Sequence, residues 1–179
     1  VTAGASAGLA LAALGLAVTV AWQAATVLRL DLAFTAAETE LSFWGRGDYQ
    51  PDDAARQRTA QALEALLAAA PRHPDYLALA AYHDTWRAYR EDDPTLAQPY
   101  ALRALHNQYG AQLNRPAYRQ GWEKMVGYAR RAAVAAEGAA EGAFEGAERA
   151  AALGALAQQR VDALQPAAAE AAPFSNPDK

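Results

Sequence analysis

The sequence lacks cysteine altogether and contains only three histidines and few serines. Without cysteine the chain can form no disulfide, thiol nucleophile or thiolate metal site. His73, His83 and His106 do not have metal-ligand spacing, and beyond the first 28 residues the only serines are Ser42 and Ser175. No Gly-x-Ser-x-Gly element and no glycine-rich phosphate loop occurs. We therefore expect a protein that is not an enzyme and has no catalytic residue, metal site or cofactor.

A basic surface and alternating hydrophobic segments are also missing. The net charge is −4 and the sequence pI is about 5.4, which argues against a protein that binds nucleic acid. No segment alternates apolar and polar residues with a period of two over a useful length. The region beyond residue 28 is therefore predicted to be all-α and water-soluble.

Charge is absent from residues 1–28, and Arg29 is the first charged residue of the chain. A helix rises about 1.5 Å per residue, so about 20 apolar residues cross a membrane core. A secretory signal has a shorter apolar region, of about 7–15 residues, followed by a cleavage site. Because the uncharged run is longer, we predict a transmembrane helix over 1–28 with the lipid bilayer as a partner.

This predicted transmembrane segment is rich in small residues and poor in bulky ones. Gly4, Gly8 and Ala12 are four positions apart, which places them on one face of a helix. Small residues let helix backbones approach closely in a membrane. We interpret this face as a packing site for other membrane-protein subunits. The alternative is that alanine and glycine are simply common in this chain.

The charges around the span bear on its orientation. The sequence begins with Val1 rather than methionine, and we expect residues to precede it. The given residues carry no positive charge before the span, and only Arg29 and Arg46 follow it closely. Taken alone, these charges favour a cytoplasmic location for the residues after the span.

Residues 29–45 are predicted to continue the helix as an amphipathic segment. Its apolar residues recur at intervals of four and three positions, which is one stripe of a helix, and Gly45 is expected to end it. The stripe consists of Leu30, Phe34, Ala37, Leu41 and Trp44. We predict that it binds a partner protein through Leu30, Phe34, Leu41 and Trp44.

Prolines and acidic residues divide residues 51–131 into short predicted helices. These helices are expected to begin near Pro51, Asp75, Pro99 and Pro116. Pro99 follows Pro94 too closely for a long helix to begin cleanly at Pro94. We therefore expect a loose first turn there and a helix over about 99–113.

Alanine, glycine and glutamate dominate residues 132–165, which we predict to form one long helix. Three glutamates recur every four residues, each followed by a glycine: Glu137, Glu141 and Glu145, with Gly138, Gly142 and Gly146. We interpret the glutamates as a solvated acidic face rather than a cation site. Each glycine costs about 0.5–1 kcal/mol relative to alanine, so we expect another backbone to pack closely there. Residues 166–179 are predicted to form an extended tail.

Small residues and prolines within 51–131 fit the second helix of a tetratricopeptide repeat, a repeat of helix pairs. The two matching sets are Ala62, Leu66, Ala69 and Pro74, and Ala104, Ala111 and Pro116. Gln108 replaces the expected large apolar residue of the second set. The pattern predicts a degenerate, tetratricopeptide-like array of helical hairpins.

The order of these segments resembles the VpsP-like family of small membrane-anchored, tetratricopeptide-like proteins from bacterial exopolysaccharide loci. The resemblance covers about residues 30–131. It rests on residues 37–46, 62–67 and 71–77, on Tyr82, Trp86 and Tyr89, and on residues 114–118 ahead of Trp122. The resemblance implies no catalytic residues. It implies an interaction role on the periplasmic side of a bacterial inner membrane, and we follow it for the orientation.

Tyrosine, tryptophan and arginine supply the remaining candidates for binding. All but one of the tyrosines and tryptophans lie between Trp44 and Tyr128. Such residues occur at protein interfaces and in sugar-binding grooves, and they also fill helical cores. Arginines and one lysine form a basic patch opposed by a single glutamate, and from it we choose Arg119, Arg130 and Arg131 as partner-binding candidates.

Two functions fit these observations. The first is a non-catalytic, membrane-anchored scaffold or assembly protein whose helical domain binds partner proteins, in exopolysaccharide biosynthesis or export if the resemblance holds. The alternative is an accessory subunit of a large integral membrane complex, for example respiratory or photosynthetic. In that case the span rich in alanine and glycine would pack on neighbouring subunits.

Overall fold

The structure is a computed structural model that describes residues 3–138 and 144–164. Within these ranges the chain is all-α and contains no strand, as the sequence predicts. The helices are α1 (Ala3–Phe43), α2 (Asp53–Ala69), α3 (Pro74–Arg90), α4 (Pro94–Asn114), α5 (Arg119–Glu137) and α6 (Phe144–Ala163). They belong to two compact units, of which the first runs to Ala69 and the second begins at Ala70. The predicted tail over 166–179 lies outside the described residues.

The first unit consists of α1 and α2. With 41 residues, α1 is about 60 Å long, roughly twice the thickness of a membrane core. The last third of α1 packs against α2, although the sequence pattern groups α2 with the later helices over 51–131. The buried apolar residues of this unit are Ala37, Leu41, Trp44, Ala55, Leu63 and Leu66.

Glycines reverse the chain after α1. Gly45 and Gly47 have φ angles of 76° and 55°, in the left-handed region that glycine adopts without a steric penalty. The Trp44 amide donates to the Leu41 carbonyl at 3.2 Å, and the Arg46 amide donates to the Phe43 carbonyl at 3.0 Å. The turn lets the chain run back to α2, where Asp52 Oδ1 accepts from the Ala55 amide at 2.6 Å and caps the new helix.

The second unit is a series of antiparallel helices in which each packs against the next. Leu77 on α3 meets Gly110 on α4, and Gly121 on α5 meets Gln112 on α4, as antiparallel neighbours must. Its core is built largely from alanine around a few large side chains, which are Leu105, Trp122, Met125 and Val161. The small alanines let the helices approach closely.

Two glycines of α6 lie close against neighbouring helices. A Cβ atom built on Gly154 of α6 would lie 2.9 Å from Ala129 Cβ of α5. One built on Gly146 would lie 3.0 Å from Leu102 Cδ1 of α4. Gly146 belongs to the glycine series at which we expected another backbone to pack closely. Its nearest neighbours are instead side-chain atoms of α4, which leave little room for a larger residue.

The start of α4 differs from the prediction, because the helix begins at Pro94 and includes Pro99. Asp93 caps it, since its Oδ1 accepts from the Thr95 amide at 2.8 Å and its carbonyl accepts from Ala97 at 2.9 Å. Pro99 lies in the second turn and removes one hydrogen bond, to the carbonyl of Thr95. Thr95 is exposed, so water can solvate that carbonyl.

The prediction of a single long helix over 132–165 is also wrong. The structure has two helices there, because α5 ends at Glu137 and α6 begins at Phe144. Glycine weakens the helix in this region, and folding back lets α6 bury Ala150 and Ala157 in the core that α5 borders. Glu137 and Glu145 are exposed, in agreement with a solvated acidic face, and Glu141 lies outside the described residues.

Candidate functional site

The first candidate surface is the exposed apolar part of α1. From residue 13 to Arg29 every side chain of α1 is exposed, on all sides of the helix. Eight large apolar residues of this stretch and the turn before it are 56–76% exposed: Leu11, Leu14, Leu16, Val18, Val20, Trp22, Val27 and Leu28. A helix that is apolar all round belongs in a protein core or a membrane. This helix is long and apolar enough to span a bilayer.

The polar side chains in this stretch are largely matched within the helix itself. Thr19 Oγ1 donates to the Gly15 carbonyl at 2.8 Å, and Thr26 Oγ1 donates to the Trp22 carbonyl at 2.9 Å. A hydroxyl that bonds to the preceding turn needs no water, which is the condition that hydrocarbon imposes on polar groups. Gln23 and the terminal Arg29 are the exceptions among the described residues of this stretch, since their exposed side chains have no internal partner.

The predicted membrane packing face falls in the first turns of α1. Gly4, Gly8 and Ala12 have helical backbones. Their surroundings lie outside what the structure describes, so the packing face stays a prediction. Gly15, one turn further on, has no atom within 4 Å of a Cβ built on it.

The stripe over residues 30–44 divides into two pairs of candidate residues. Leu30 and Phe34 are half-buried. Leu41 and Trp44 are 0% and 4% exposed, so they form the core of the first unit rather than a surface for a partner. The Trp44 Nε1 group donates to Glu40 Oε1 at 3.1 Å, which fixes the indole. The sequence could not separate these pairs, because burial depends on where α2 packs.

Glu40 joins the end of α1 to the loop that follows. The Tyr49 hydroxyl donates to Glu40 Oε1 at 2.6 Å. This hydrogen bond to a carboxylate raises the pKa of Tyr49 above its ordinary value of 10.0. The contact is structural, because the same carboxylate also holds the Trp44 indole in place.

The second candidate surface is an aromatic face on the second unit, formed by Tyr82, Trp86 and Tyr89 of α3 with Tyr128 and Arg131 of α5. Tyr82 and Trp86 meet edge to face with ring centroids 6.4 Å apart, and Trp86 and Tyr89 do so at 5.6 Å. The Arg131 guanidinium lies over the Tyr89 ring, with its carbon 5.3 Å from the centroid. Tyr89 is 66% exposed, so aromatic and cationic groups together face the solvent.

Tyr128 anchors the inner edge of this aromatic face. Burial raises the pKa of its phenol above the ordinary value of 10.0, and a hydrogen bond with Thr85 of α3 opposes the shift. The phenol therefore stays protonated at neutral pH. It serves as a neutral hydrogen-bonding group rather than as a base.

The arginines predicted to bind a partner do not form one patch. Arg131 belongs to the aromatic face, and Arg130 beside it is exposed. Arg119 begins α5, about 17 Å away along the helix axis. Its Nε lies 3.2 Å from Glu123 Oε1, so it forms an ordinary ion pair along the helix.

The most deeply buried charge of the second unit is Asp84, a residue that no sequence motif marks. Arg103 binds it bidentately, with Nε and Nη2 donating at 2.7 Å and 2.6 Å, and Asn107 adds a contact at 3.4 Å. Burial opposes ionisation, but hydrogen bonds from Arg103 and His83 prevail and lower the pKa of Asp84 below its ordinary 3.8. The pair joins α3 to α4. No local pattern could reveal it, because the two residues are 19 positions apart.

A buried glutamine pair joins α4 to the start of α5. Gln108 Nε2 donates to the Gly121 carbonyl at 3.1 Å, and Gln112 Nε2 donates to the Tyr118 carbonyl at 2.9 Å. Gln108 is 2% exposed, so the polar residue that departs from the repeat pattern still lies in the interior. Among the described residues, no group of three or more metal-ligating side chains converges.

Comparison with known protein families, curated proteins and solved structures finds no match to this chain.

Proposed function

We propose that this protein is a non-catalytic, single-pass membrane protein whose helical part binds a partner protein. The observation that carries the proposal is the exposed apolar stretch of α1 over residues 13–29. Burying such a surface is favourable by roughly 25 cal/mol per Å², and a lipid bilayer is the environment that surrounds a helix on all sides. Exposed apolar area on this scale is also rare on soluble monomers.

The aromatic face is the proposed binding surface for the partner. Tyrosine, tryptophan and arginine are the residues that dominate binding energy at protein interfaces. Here Tyr89 is well exposed while Trp86 and Arg131 hold its ring from two sides. A preordered aromatic side chain loses little conformational entropy on binding, so the arrangement favours recognition.

The non-catalytic part of the proposal is supported by the role of the buried charge. Asp84 is the buried carboxylate closest to a histidine, with His83 Nδ1 at 3.6 Å. A general base needs a pKa near the working pH, whereas Arg103 holds the pKa of Asp84 below its ordinary value. We assign this group to holding α3 and α4 together.

The place of action that we propose is the periplasmic side of a bacterial inner membrane, in exopolysaccharide biosynthesis or export. This part rests on the resemblance to VpsP-like proteins. Its test is a cysteine introduced at Asp48, in the exposed turn after α1, and probed in intact cells with a membrane-impermeant thiol reagent. Labelling of intact cells is expected. Labelling only after lysis would show that the turn after α1 lies in the cytoplasm, opposite to the proposed orientation.

Binding through the aromatic face is tested by site-specific photo-crosslinking. A benzophenone side chain at Tyr89 is expected to form one dominant adduct with a partner protein. The matched control is Leu113, which is similarly exposed, at 63% against 66%, and lies on the same unit. Equal crosslinking at both positions, or none at Tyr89, would contradict the proposed surface.

The second candidate function is an accessory subunit of a large integral membrane complex. Gln23 favours it, because an unpaired amide in hydrocarbon is costly and a neighbouring helix could supply its hydrogen bonds. Purification in a mild detergent separates the two functions. A stable complex of fixed stoichiometry that is lost on Gln23→Leu supports the accessory subunit, and a monodisperse monomer supports the scaffold.

A further inference from the structure

A groove between α4 and α6 encloses a cavity of about 280 Å³ in the second unit. Three leucines and three basic side chains line it: Leu102, Leu105, Leu153, Arg103, His106 and Arg149. The groove is separate from the aromatic face, whose residues belong to α3 and α5. It therefore needs an explanation of its own.

The groove lies next to the point where Gly146 of α6 faces α4. A Cβ on Gly146 would lie 3.0 Å from both Leu102 Cδ1 and Gln98 Nε2, so side chains of α4 lie directly against α6 at that point. Arg149 and Leu153 follow one and two turns later on α6, where larger side chains hold the helices apart. Leu105 is 1% exposed and forms the apolar floor.

The basic groups at the rim have unused hydrogen-bonding capacity. Arg103 donates to Asp84 through Nε and Nη2, which fixes the plane of the guanidinium and leaves Nη1 without an acceptor among the described residues. Arg149 and His106 are exposed, and neither forms an ion pair with any of the described residues. The unpaired Arg149, together with donors from Arg103 and His106 beside an apolar floor, forms a site for a ligand that is anionic at one end and apolar at the other.

We propose that this groove binds a phosphate ester that carries an apolar group. Arginine offers phosphate a planar set of donors, and charge-assisted hydrogen bonds of this kind are about twice as strong as neutral ones. The leucine floor would take the apolar part. The volume is just below the usual range of about 300–1,000 Å³ for ligand pockets, so the enclosed part of the ligand is small. The ester could be a soluble metabolite or the headgroup region of an anionic phospholipid.

Calorimetric titration of the full chain in phosphatidylcholine nanodiscs with phenyl phosphate tests this proposal. Saturable binding of one equivalent is expected. Inorganic phosphate and phenol are each expected to bind at least about tenfold more weakly, since each lacks half of the recognised chemistry. Absence of saturable phenyl phosphate binding would overturn the proposal, and inorganic phosphate binding as tightly would overturn its apolar part.

Substitutions at the rim locate the binding site. Arg149→Gln is expected to weaken phenyl phosphate binding about tenfold, because one charge-assisted contact is lost. The control is Arg160→Gln, which removes an exposed arginine from the same helix outside the groove. His106→Gln provides a second variant on α4. Unchanged affinity in both groove variants, with native circular dichroism spectra, would place the ligand elsewhere.

Nanodiscs of different composition distinguish the two sources of the ester. If a phospholipid is the natural ligand, phosphatidylglycerol in the nanodiscs will compete and weaken phenyl phosphate binding. In that case the Arg149→Gln variant should bind phenyl phosphate equally well in nanodiscs of both lipid compositions. If the natural ligand is a soluble ester, the affinity will be the same in both bilayers. Either result retains the phosphate ester and assigns its source.

Discussion

The two parts of α1 carry similar apolar side chains in opposite surroundings. Before Arg29, leucines such as Leu14 and Leu16 are 62% and 68% exposed, whereas Leu41 is 0% exposed. The helix is continuous from one part to the other, so backbone geometry does not separate them. What differs is the neighbour: α2 covers the later part, and no part of the described structure covers the earlier one. Hydrophobicity alone therefore does not predict burial within this chain.

The polar residues of the two parts differ in the same way. In the exposed part the hydroxyls of Thr19 and Thr26 bond within the helix. In the packed part Glu40 accepts from the Trp44 indole and the Tyr49 hydroxyl. The first arrangement suits an environment without water, and the second uses a charge at the edge of an aqueous core. The comparison supports the proposal that α1 passes from a membrane into water near Arg29.

The largest expected effect is on the packed part. Leu41→Ala should destabilise the first unit by about 2–5 kcal/mol, because it removes a fully buried side chain. Leu14→Ala, on the exposed part of the same helix, should leave it unchanged. Hydrogen exchange of the α2 amides in nanodiscs measures both. Equal loss of protection against hydrogen exchange in the two variants would contradict the division of α1 into a packed and an exposed part.

A charge in the exposed part should have the next largest effect. Leu16→Arg is expected to disfavour membrane insertion by about 2.5–3.5 kcal/mol, the cost of an arginine at the centre of a spanning helix. Leu113→Arg introduces the same side chain at an exposed position of α4 and should not change insertion. The measurement is the fraction of protein that resists alkaline carbonate extraction. An unchanged fraction for Leu16→Arg would argue that this segment lies in water.

Alanine substitutions at two glycines should have a smaller effect on stability. One glycine lies against a neighbouring helix, and the other faces open space and serves as the control. Gly154→Ala should destabilise the second unit by about 1–3 kcal/mol, because the new Cβ would lie 2.9 Å from Ala129 Cβ. Gly127→Ala on α5 has nothing within 4 Å of its new Cβ and should stabilise the helix by about 0.5–1 kcal/mol. Thermal unfolding of the two variants should shift in opposite directions. A stabilising Gly154→Ala would show that α5 and α6 pack less closely.

The last prediction concerns how stability changes with pH, through a charge that is buried within the second unit. The folded pKa of Asp84 lies below its unfolded value, so its ionisation stabilises the fold at every pH above that unfolded value. This contribution is lost as the pH falls through the folded pKa. The stability difference between the wild type and Asp84→Asn should therefore be constant at neutral pH and shrink in acid. A difference that does not change with pH would contradict the assignment.

Local signals in the sequence were sufficient to predict an all-α structure. They were not sufficient to predict which helices pack against each other. Pro74 stands at the first position of α3, one residue before the predicted start at Asp75, whereas α4 begins at Pro94 instead of the predicted Pro99. The division between α5 and α6 was missed, because it depends on the burial of Ala150 and Ala157 after the chain folds back. The bond between Asp84 and Arg103 and the groove at Arg149 also required knowledge of which helices are neighbours. Such contacts join residues that no helical periodicity relates.

Spin-label accessibility along α1 tests the central claim most directly. The chain has no cysteine, so single cysteines at Leu16 and at Asp48 can carry the label without other changes. In bilayers the label at position 16 should collide readily with oxygen and rarely with a water-soluble nickel chelate, and the label at position 48 should show the reverse. Nickel accessibility at position 16 equal to that at position 48 would contradict a membrane-spanning α1.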